Sequence, residues 1–212
     1  MPGPGLKVIR VLIADDHPVV REGLAALIGR PTDMEVIAEV SNGREAFEQF
    51  LIHLPDITLM DLRMPELDGV DAILAIREQV PAARIIVLTT FDGDEDIYRG
   101  LRAGAKGYLL KDACREELLE CIRAVYDGRT WIPPAVAAKL ATRIGGPDLT
   151  SRELEVLNLM VAGNSNKEIG TALGVSEGTI KAHVNRVLEK LGVSGRTEAT
   201  AVALKRGIVR LE

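Results

Sequence analysis

Hydrophobic positions along the chain follow two rules, and the rule changes once. Up to about residue 128, five short stretches are almost continuously apolar: KVIRVLIADD (7–16), MEVIAEV (34–40), DITLMD (56–61), RIIVLTT (84–90) and KGYLLK (106–111). Runs this short, rich in Val, Ile and Leu, suit strands covered on both faces in a parallel sheet. Between them apolar residues recur with a helical period over 19–30, 43–54, 69–79, 95–103 and 115–127. Strand–helix alternation predicts an α/β sheet with right-handed crossovers. The second strand, ending near Val40 and Ser41, offers no chemistry and is expected at an edge.

The segment 129–148 holds Pro133, Pro134, Gly145, Gly146 and Pro147 around one short helical pattern, 134–143, and reads as a linker. No strand pattern returns after it. TSRELEVLNLMVAG, NKEIGTALG, EGTIKAHVNRVLEKLG and RTEATAVALKRG read as four helices, the third over 177–191. Thr150 with Glu153 three residues on is a capping box. Gly163, Gly174, Gly192 and Gly207 are natural helix stops. The division expected is 1–128, linker 129–148, and a small all-α four-helix domain over 149–212.

Charge separates the same regions. The 212 residues sum to −5, yet 149–212 hold nine Lys/Arg against seven Asp/Glu and the rest seventeen against twenty-four. An acidic body with a mildly basic tail fits a regulatory domain joined to an anion-binding one. No apolar run approaches the roughly 20 residues of a membrane span, and MPGPGLKVIR lacks a secretory h-region. Cys114 and Cys121 lie seven apart on one predicted helix, about 10 Å by its rise, too far to bridge. Two buried thiols in a reducing cytoplasm are expected.

In an open α/β sheet, ligands bind beyond the carboxyl ends of the strands. The first strand ends in Asp15-Asp16, the third in Asp61, the fourth in Thr89-Thr90 and the fifth in Lys111. Three converging carboxylates repel unless a cation joins them. An oxygen donor set, with no clustered His or Cys, points to Mg²⁺ rather than zinc. A carboxylate beside Mg²⁺ can attack a phosphoryl group and form an acyl phosphate, with Lys111 pairing the phosphate and Thr89 donating to it. His17 is expected at the entry to the first helix. A phosphatase of the haloacid dehalogenase type also attacks with an Asp after an apolar strand, but needs a second Asp two residues on; Arg63 stands there.

ADDH, MDLRMPELDG, LTTF and GYLLKD together resemble the receiver domain of a two-component response regulator over about 8–128. The resemblance implies a doubly wound five-stranded parallel sheet in the flavodoxin-like order 2-1-3-4-5. It makes Asp61 the phosphoacceptor and Asp16 a direct Mg²⁺ ligand. Asp15 would ligate partly through water, and the backbone carbonyl of Arg63 would complete the protein ligands. Thr89 becomes the switch hydroxyl and Tyr108 a switch aromatic that turns inward on phosphorylation. Asp112 follows Lys111 where many receivers have Pro, so no cis peptide is expected there.

In the third tail helix Ile180, Val184, Val187, Leu188 and Leu191 form a core stripe. Thr179, Lys181, Ala182, His183, Asn185, Arg186 and Lys190 lie off it. With the short helix and Gly-centred turn before it, this makes a helix-turn-helix. Lys167, Thr179, His183, Arg186 and Lys190 are placed to hold phosphates. The tail resembles the LuxR-type DNA-binding domain over nearly all of 149–207. That likeness implies base reading by Lys181, Ala182 and Asn185, a DNA contact at Ser176, and dimerisation through the last helix. A sigma-factor promoter-reading region would need a separate melting domain, and RNA binding would want aromatic platforms; 149–212 has no Phe, Tyr or Trp.

The whole chain therefore resembles a NarL/FixJ-type response regulator. That implies a transcription factor rather than an enzyme in the usual sense. A sensor histidine kinase would be its phosphodonor, double-stranded DNA its target, and a homodimer its phosphorylated or DNA-bound form. Release of an inhibited tail and receiver-driven dimerisation both remain open as mechanisms.

Overall fold

The computed structural model describes residues 8–89, 94–144 and 147–209. Residues 90–93, Gly145, Gly146 and the terminal segments 1–7 and 210–212 lie outside them, and with them Thr90 at the expected end of the fourth strand. The chain forms two compact units, one carrying the sheet and the other the tail helices.

The sheet unit alternates strictly. Strands β1 (Ile9–Ala14), β2 (Met34–Val40), β3 (Ile57–Asp61), β4 (Ile85–Thr89) and β5 (Gly107–Leu110) are separated by helices α1 (Pro18–Ile28), α2 (Gly43–His53), α3 (Gly69–Gln79) and α4 (Asp94–Arg102); α5 (Arg115–Tyr126) follows. All strand pairs are parallel, in the order β2-β1-β3-β4-β5. β3 and β4 are buried at every position, as their unbroken apolar runs require, while β2, at the edge, is buried only at its ends, Met34 and Val40. One face of the sheet, with Val11, Ile13, Leu59, Leu88 and Leu109, packs on Leu24 and Ile28 of α1 and on Leu118, Ile122 and Val125 of α5.

The far edge is not bare. Residues after α5 return along β5: Trp131 N donates to Lys106 O at 3.1 Å, and Tyr108 N to Trp131 O at 2.8 Å. Trp131 also packs against the α1/α5 core. An uncovered strand edge is an invitation to aggregate, and this strap shields it. The proline-rich composition around it had suggested only a linker. Its helix α6 (Pro134–Ile144) lies where the pattern placed it.

The tail holds α7 (Ser151–Val161), α8 (Asn166–Leu173), α9 (Glu177–Leu191) and α10 (Arg196–Arg206). Val156, Met160, Ile169, Ile180, Val184 and Ala199 form one core cluster, and Leu157, Val187, Ala203 and Val209 a second. Capping boxes open α7 (Thr150/Glu153) and α8 (Ser165/Glu168), satisfying amides that a helix start leaves without partners. Gly174, Gly192 and Gly207 close α8, α9 and α10 in the left-handed region. Gly170 permits the tight turn between α8 and α9, since a Cβ there would come within 2.8 Å of Val175 O.

The expected thiol pair is corrected. Cys121 is buried, and burial pushes its thiol up to about 12. Cys114 is exposed, because it sits outside the helix as the N-cap of α5.

A candidate phosphoacceptor site and a candidate DNA-reading helix

Register brings the strand ends to one level. Ala14 pairs with Met60, Asp61 with Leu88, and Thr89 with Leu110. Each strand's last polar residue therefore opens on the same crevice. Asp61 is 4% exposed and Asp15 fully buried. Lys111 Nζ bridges them, 2.7 Å from Asp61 Oδ2 and 2.8 Å from Asp15 Oδ2. Backbone amides take the other oxygens: Arg63 N donates to Asp61 Oδ1 at 3.1 Å and His17 N to Asp15 Oδ1 at 2.9 Å. Gly69 has a steric duty here, because any Cβ on it would overlap the Asp61 carbonyl.

The electrostatics follow from that packing. Burial raises the Asp61 carboxyl above its usual range, against the pull of Lys111, and the Asp15 charge adds to the rise. Burial would lower the Lys111 ammonium, but its bonds to Asp15 and Asp61 more than offset this and hold it charged. One lysine thus faces two carboxylates directly, with Asp16 beside them.

The donor set fits a hard dication. Oxygens of Asp15, Asp16 and Asp61 and a ring nitrogen of His17 lie within 4.8 Å of one another. Asp15 Oδ2 and Asp16 Oδ1 are shut off from solvent and make no well-aligned hydrogen bond; their close neighbours are the cations Lys111 and, when protonated, His17. Carboxylates left this way are better satisfied by a coordinated cation. His17 was expected only as a helix entry. It is the N-cap of α1, yet its side chain makes no capping bond and turns instead to Asp16 Oδ1 at 2.7 Å.

Tyr108 differs from expectation. It is already inward, 1% exposed, and its hydroxyl donates to Ile97 O at 2.6 Å. Room for that hydroxyl comes from Gly100 on α4, where a Cβ would stand 2.7 Å from it. A glycine inside the helical pattern 95–103 was the signal available in the sequence. Thr89 is buried at the end of β4, and the Lys111 amide donates to its carbonyl at 2.8 Å. The Lys111–Asp112 bond is trans.

In the tail, Lys167, Ser176, Thr179, Lys181, Ala182, Asn185 and Arg186 are exposed. Ser176 caps α9, accepting from Thr179 N, and its hydroxyl lies 2.9 Å from that of Thr179. Lys181 rests against Glu177 at 3.1 Å, one turn back. His183 is only half exposed, with Nδ1 buried and without a partner. Lys190 has an intramolecular duty. Its ammonium lies 2.7 Å from Glu153 Oε2 and donates to Asp148 O at 2.8 Å, so it ties α9 to the start of α7. Burial raises the Glu153 carboxyl, but Lys190 and the amide and hydroxyl of Thr150 outweigh it and hold it at about 2. The helical period that put Lys190 off the core stripe could not reveal this, because its long stem reaches across to another helix. Arg196, not singled out from the sequence, donates to the carbonyls of Met160 and Asn164 and so holds the α7–α8 turn.

Comparison with known proteins agrees with both halves. Residues 11–123 match the family described as response regulator receiver domain, and 147–203 the family described as bacterial regulatory proteins, luxR family. The transcriptional regulatory protein YxjL of Bacillus subtilis, itself called uncharacterized, is 41% identical over 95% of this chain and 98% of its own length. The oxygen regulatory protein NreC of Staphylococcus aureus is 37% identical over 95% and 99%. Among solved structures, the response regulator ChrA of a heme-sensing two-component system is 36% identical, with a TM-score of 0.59 over 96% of this chain and all of that one. The response regulator RcsB bound to DNA is 26% identical, with a TM-score of 0.70 over 92% and 98%. A receiver fold joined to a helix-turn-helix defines the class. The chain belongs to the response regulator family of the NarL type, with a LuxR-type DNA-binding domain, and its relatives are transcriptional regulatory proteins. Among the described residues no helix is long and apolar enough to cross a membrane.

Proposed function

We propose that Asp61 accepts a phosphoryl group from a sensor histidine kinase and that the acyl phosphate controls DNA binding by α9. Residues 1–128 form the receiver in this reading, 129–148 the linker and 149–212 the DNA-binding domain. The supporting observation is the buried Asp61 at the tip of β3, held 2.7 Å from Lys111. An Asp61 oxygen attacks phosphorus, the bond from phosphorus to the kinase imidazole breaks, and the ring nitrogen keeps the electron pair. Asp15, Asp16, Asp61 and the carbonyl of Arg63 would hold Mg²⁺. The ion would neutralise charge on the transferring oxygens. Lys111 keeps the carboxylates close before transfer and pairs with the phosphate after it. Thr89, buried beside the same crevice, supplies a hydroxyl to a new oxygen.

The modification brings a charge of about −1.5 to −2, and Lys111 and Thr89 read it. With Tyr108 already inward, its ring does not carry the signal by turning in. We assign the change to the ends of β4 and β5, whose partners are the phosphate and, through Tyr108 N, the Trp131 strap. In the tail, Lys181, Ala182 and Asn185 read base edges while Lys167, Thr179 and Arg186 hold backbone phosphates. A two-fold DNA site would take two copies, with α10 as the pairing helix. Cytoplasmic location follows from this partnership with DNA. Asp61→Asn should abolish acid-labile phosphate uptake from a small phosphodonor; normal labelling of that variant removes the assignment.

A further inference from the structure

We propose that the strap through Trp131 is a releasable strand, latched to β5 before phosphorylation and let go once Asp61 carries phosphate. The inference rests on the phosphoacceptor reading above and names the element that changes state.

The latch is built short. The segment 130–132 spans the gap between two helix ends. Arg129 N donates to Ala124 O at 2.9 Å behind it, and Ala137 N to Pro133 O at 2.9 Å ahead of it. Among the described residues, its backbone meets β5 only through the bonds at Lys106 O and Tyr108 N. A parallel ladder continued by one step would need a donor for Tyr108 O and an acceptor for Leu110 N, both from the residue two places after Trp131. That residue is Pro133, which has no N–H and whose carbonyl already accepts from Ala137. A strand held by two bonds opens far more readily than a strand in the middle of the sheet.

The seat of the latch is flawed as well. The Trp131 ring packs against the core of α1 and α5, yet its indole Nε1 is shut off from solvent and has no partner among the described residues. A buried donor without an acceptor weakens the closed state. Opening gives that donor to water.

The strand that the strap grips is the one the phosphate pulls. β5 ends at Leu110 and Lys111 follows directly. Lys111 Nζ sits between Asp15 and Asp61, and pairing with a phosphoryl group on Asp61 draws it away from that position. The other neighbours of β5 hold it closely. A Cβ on Gly107 would stand 3.0 Å from side-chain atoms of both Ile86 and Val125, so β4 and α5 leave no slack there. Tyr108 is tied to α4 through Ile97 O. The strap is the weakest of these holds, so displacement of β5 is taken up at its edge. Phosphate shifts the equilibrium because its contact with Lys111 differs between the two states. The alternative is plain edge cover, in which the strap stays closed in both states.

The test uses the full chain with Mg²⁺, with and without a small phosphodonor. Mass spectrometry reports the phosphoryl group, and amide hydrogen exchange reports the strap. On phosphorylation the Trp131 and Tyr108 amides should exchange about tenfold faster, within the span of coupling between two sites, while the Val87 amide in β4 holds steady. The emission of Trp131, the one tryptophan in the sequence, should shift to the red as the indole enters water. In the unphosphorylated chain, Trp131→Ala should bring Tyr108 exchange to the phosphorylated rate. Trp131→Phe keeps a ring in the seat and drops the orphan donor, so it should exchange no faster than the wild type. Phosphorylated wild type with unchanged or slower exchange would overturn the strap proposal and leave Asp61 as phosphoacceptor; this measurement decides even where Trp131→Ala fails to fold. Unchanged Tyr108 exchange in a folded Trp131→Ala would overturn it too. No gain of mass in the wild type would remove the phosphoacceptor reading, and the strap proposal with it.

Discussion

The strand ends of the sheet and the outer face of α9 both bear the residues assigned to function, but they bear them in opposite ways. Asp15, Asp61 and Thr89 are buried, and register and ion pairs with Lys111 hold the two carboxylates. Lys181, Ala182, Asn185 and Arg186 stand exposed on their helix. The difference is one of cost. A carboxylate inside a protein is expensive unless paired, so two of them at converging strand ends, with Asp16 beside them, demand a reason. An exposed lysine costs nothing, and its exposure alone does not distinguish a DNA contact from a solvated charge. One region is preorganised around a charge that arrives; the other waits for a partner that supplies the order.

Lys190 crosses this divide and gives the largest expected effect on stability. It belongs by periodicity to the exposed face of α9 but by contact to the buried Glu153. Lys190→Met should destabilise the tail by about 1–3 kcal/mol, the cost of stranding a buried polar group, as read by thermal melting of the α7–α10 signal. The pH dependence has a definite sign. Glu153 is held at about 2, below its ordinary 4.5, so its contribution is complete above about 4.5 and is lost as pH falls through about 2. The variant should lose most of the acid sensitivity in that window.

On the exposed face, comparable energies should appear only in the complex. Asn185→Ala should cost about 1–3 kcal/mol at a specific site and relax base preference there. Lys167→Ala should weaken all DNA alike and reduce the log–log salt slope by roughly 0.9. Equal losses on specific and random DNA for Asn185→Ala would remove it from the base readers. Neither change should move the melting temperature measurably, in contrast to Lys190.

The smallest effect belongs to the buried side. Tyr108→Phe removes the hydroxyl that donates to Ile97 O and should cost about 0.5–1.5 kcal/mol in receiver stability by denaturant titration. Since the ring is already inward, the variant should keep most of its response to phosphodonor. Loss of the whole response would restore the turning ring as the carrier of the signal.

The legible and illegible parts of the sequence follow the same contrast. Val, Ile and Leu runs announced β3 and β4 because both faces are covered, and Asp61 at the end of such a run was conspicuous. The Thr150/Glu153 capping box and terminal glycines marked the tail helices because those signals are local. The Trp131 strap was hidden because its bonds are backbone to backbone and leave no side-chain pattern. What was undervalued in Lys190 and Tyr108 has a shared reason: each depends on what another element offers. Glu153 reaches Lys190 from α7, and Gly100 on α4 makes the hollow for Tyr108. A one-dimensional period reports which way a residue faces on its own element, not what stands opposite.

The account's central claim is that charge placed on the buried carboxylate changes the affinity of the exposed helix. The direct measurement is the binding of specific duplex DNA by the full chain, with and without a small phosphodonor, for the wild type and for Asp61→Asn. The wild type should gain about 5–150-fold, the usual span of coupling between two sites, and Asp61→Asn should gain nothing. An equal gain in both proteins would mean that Asp61 is not the control point.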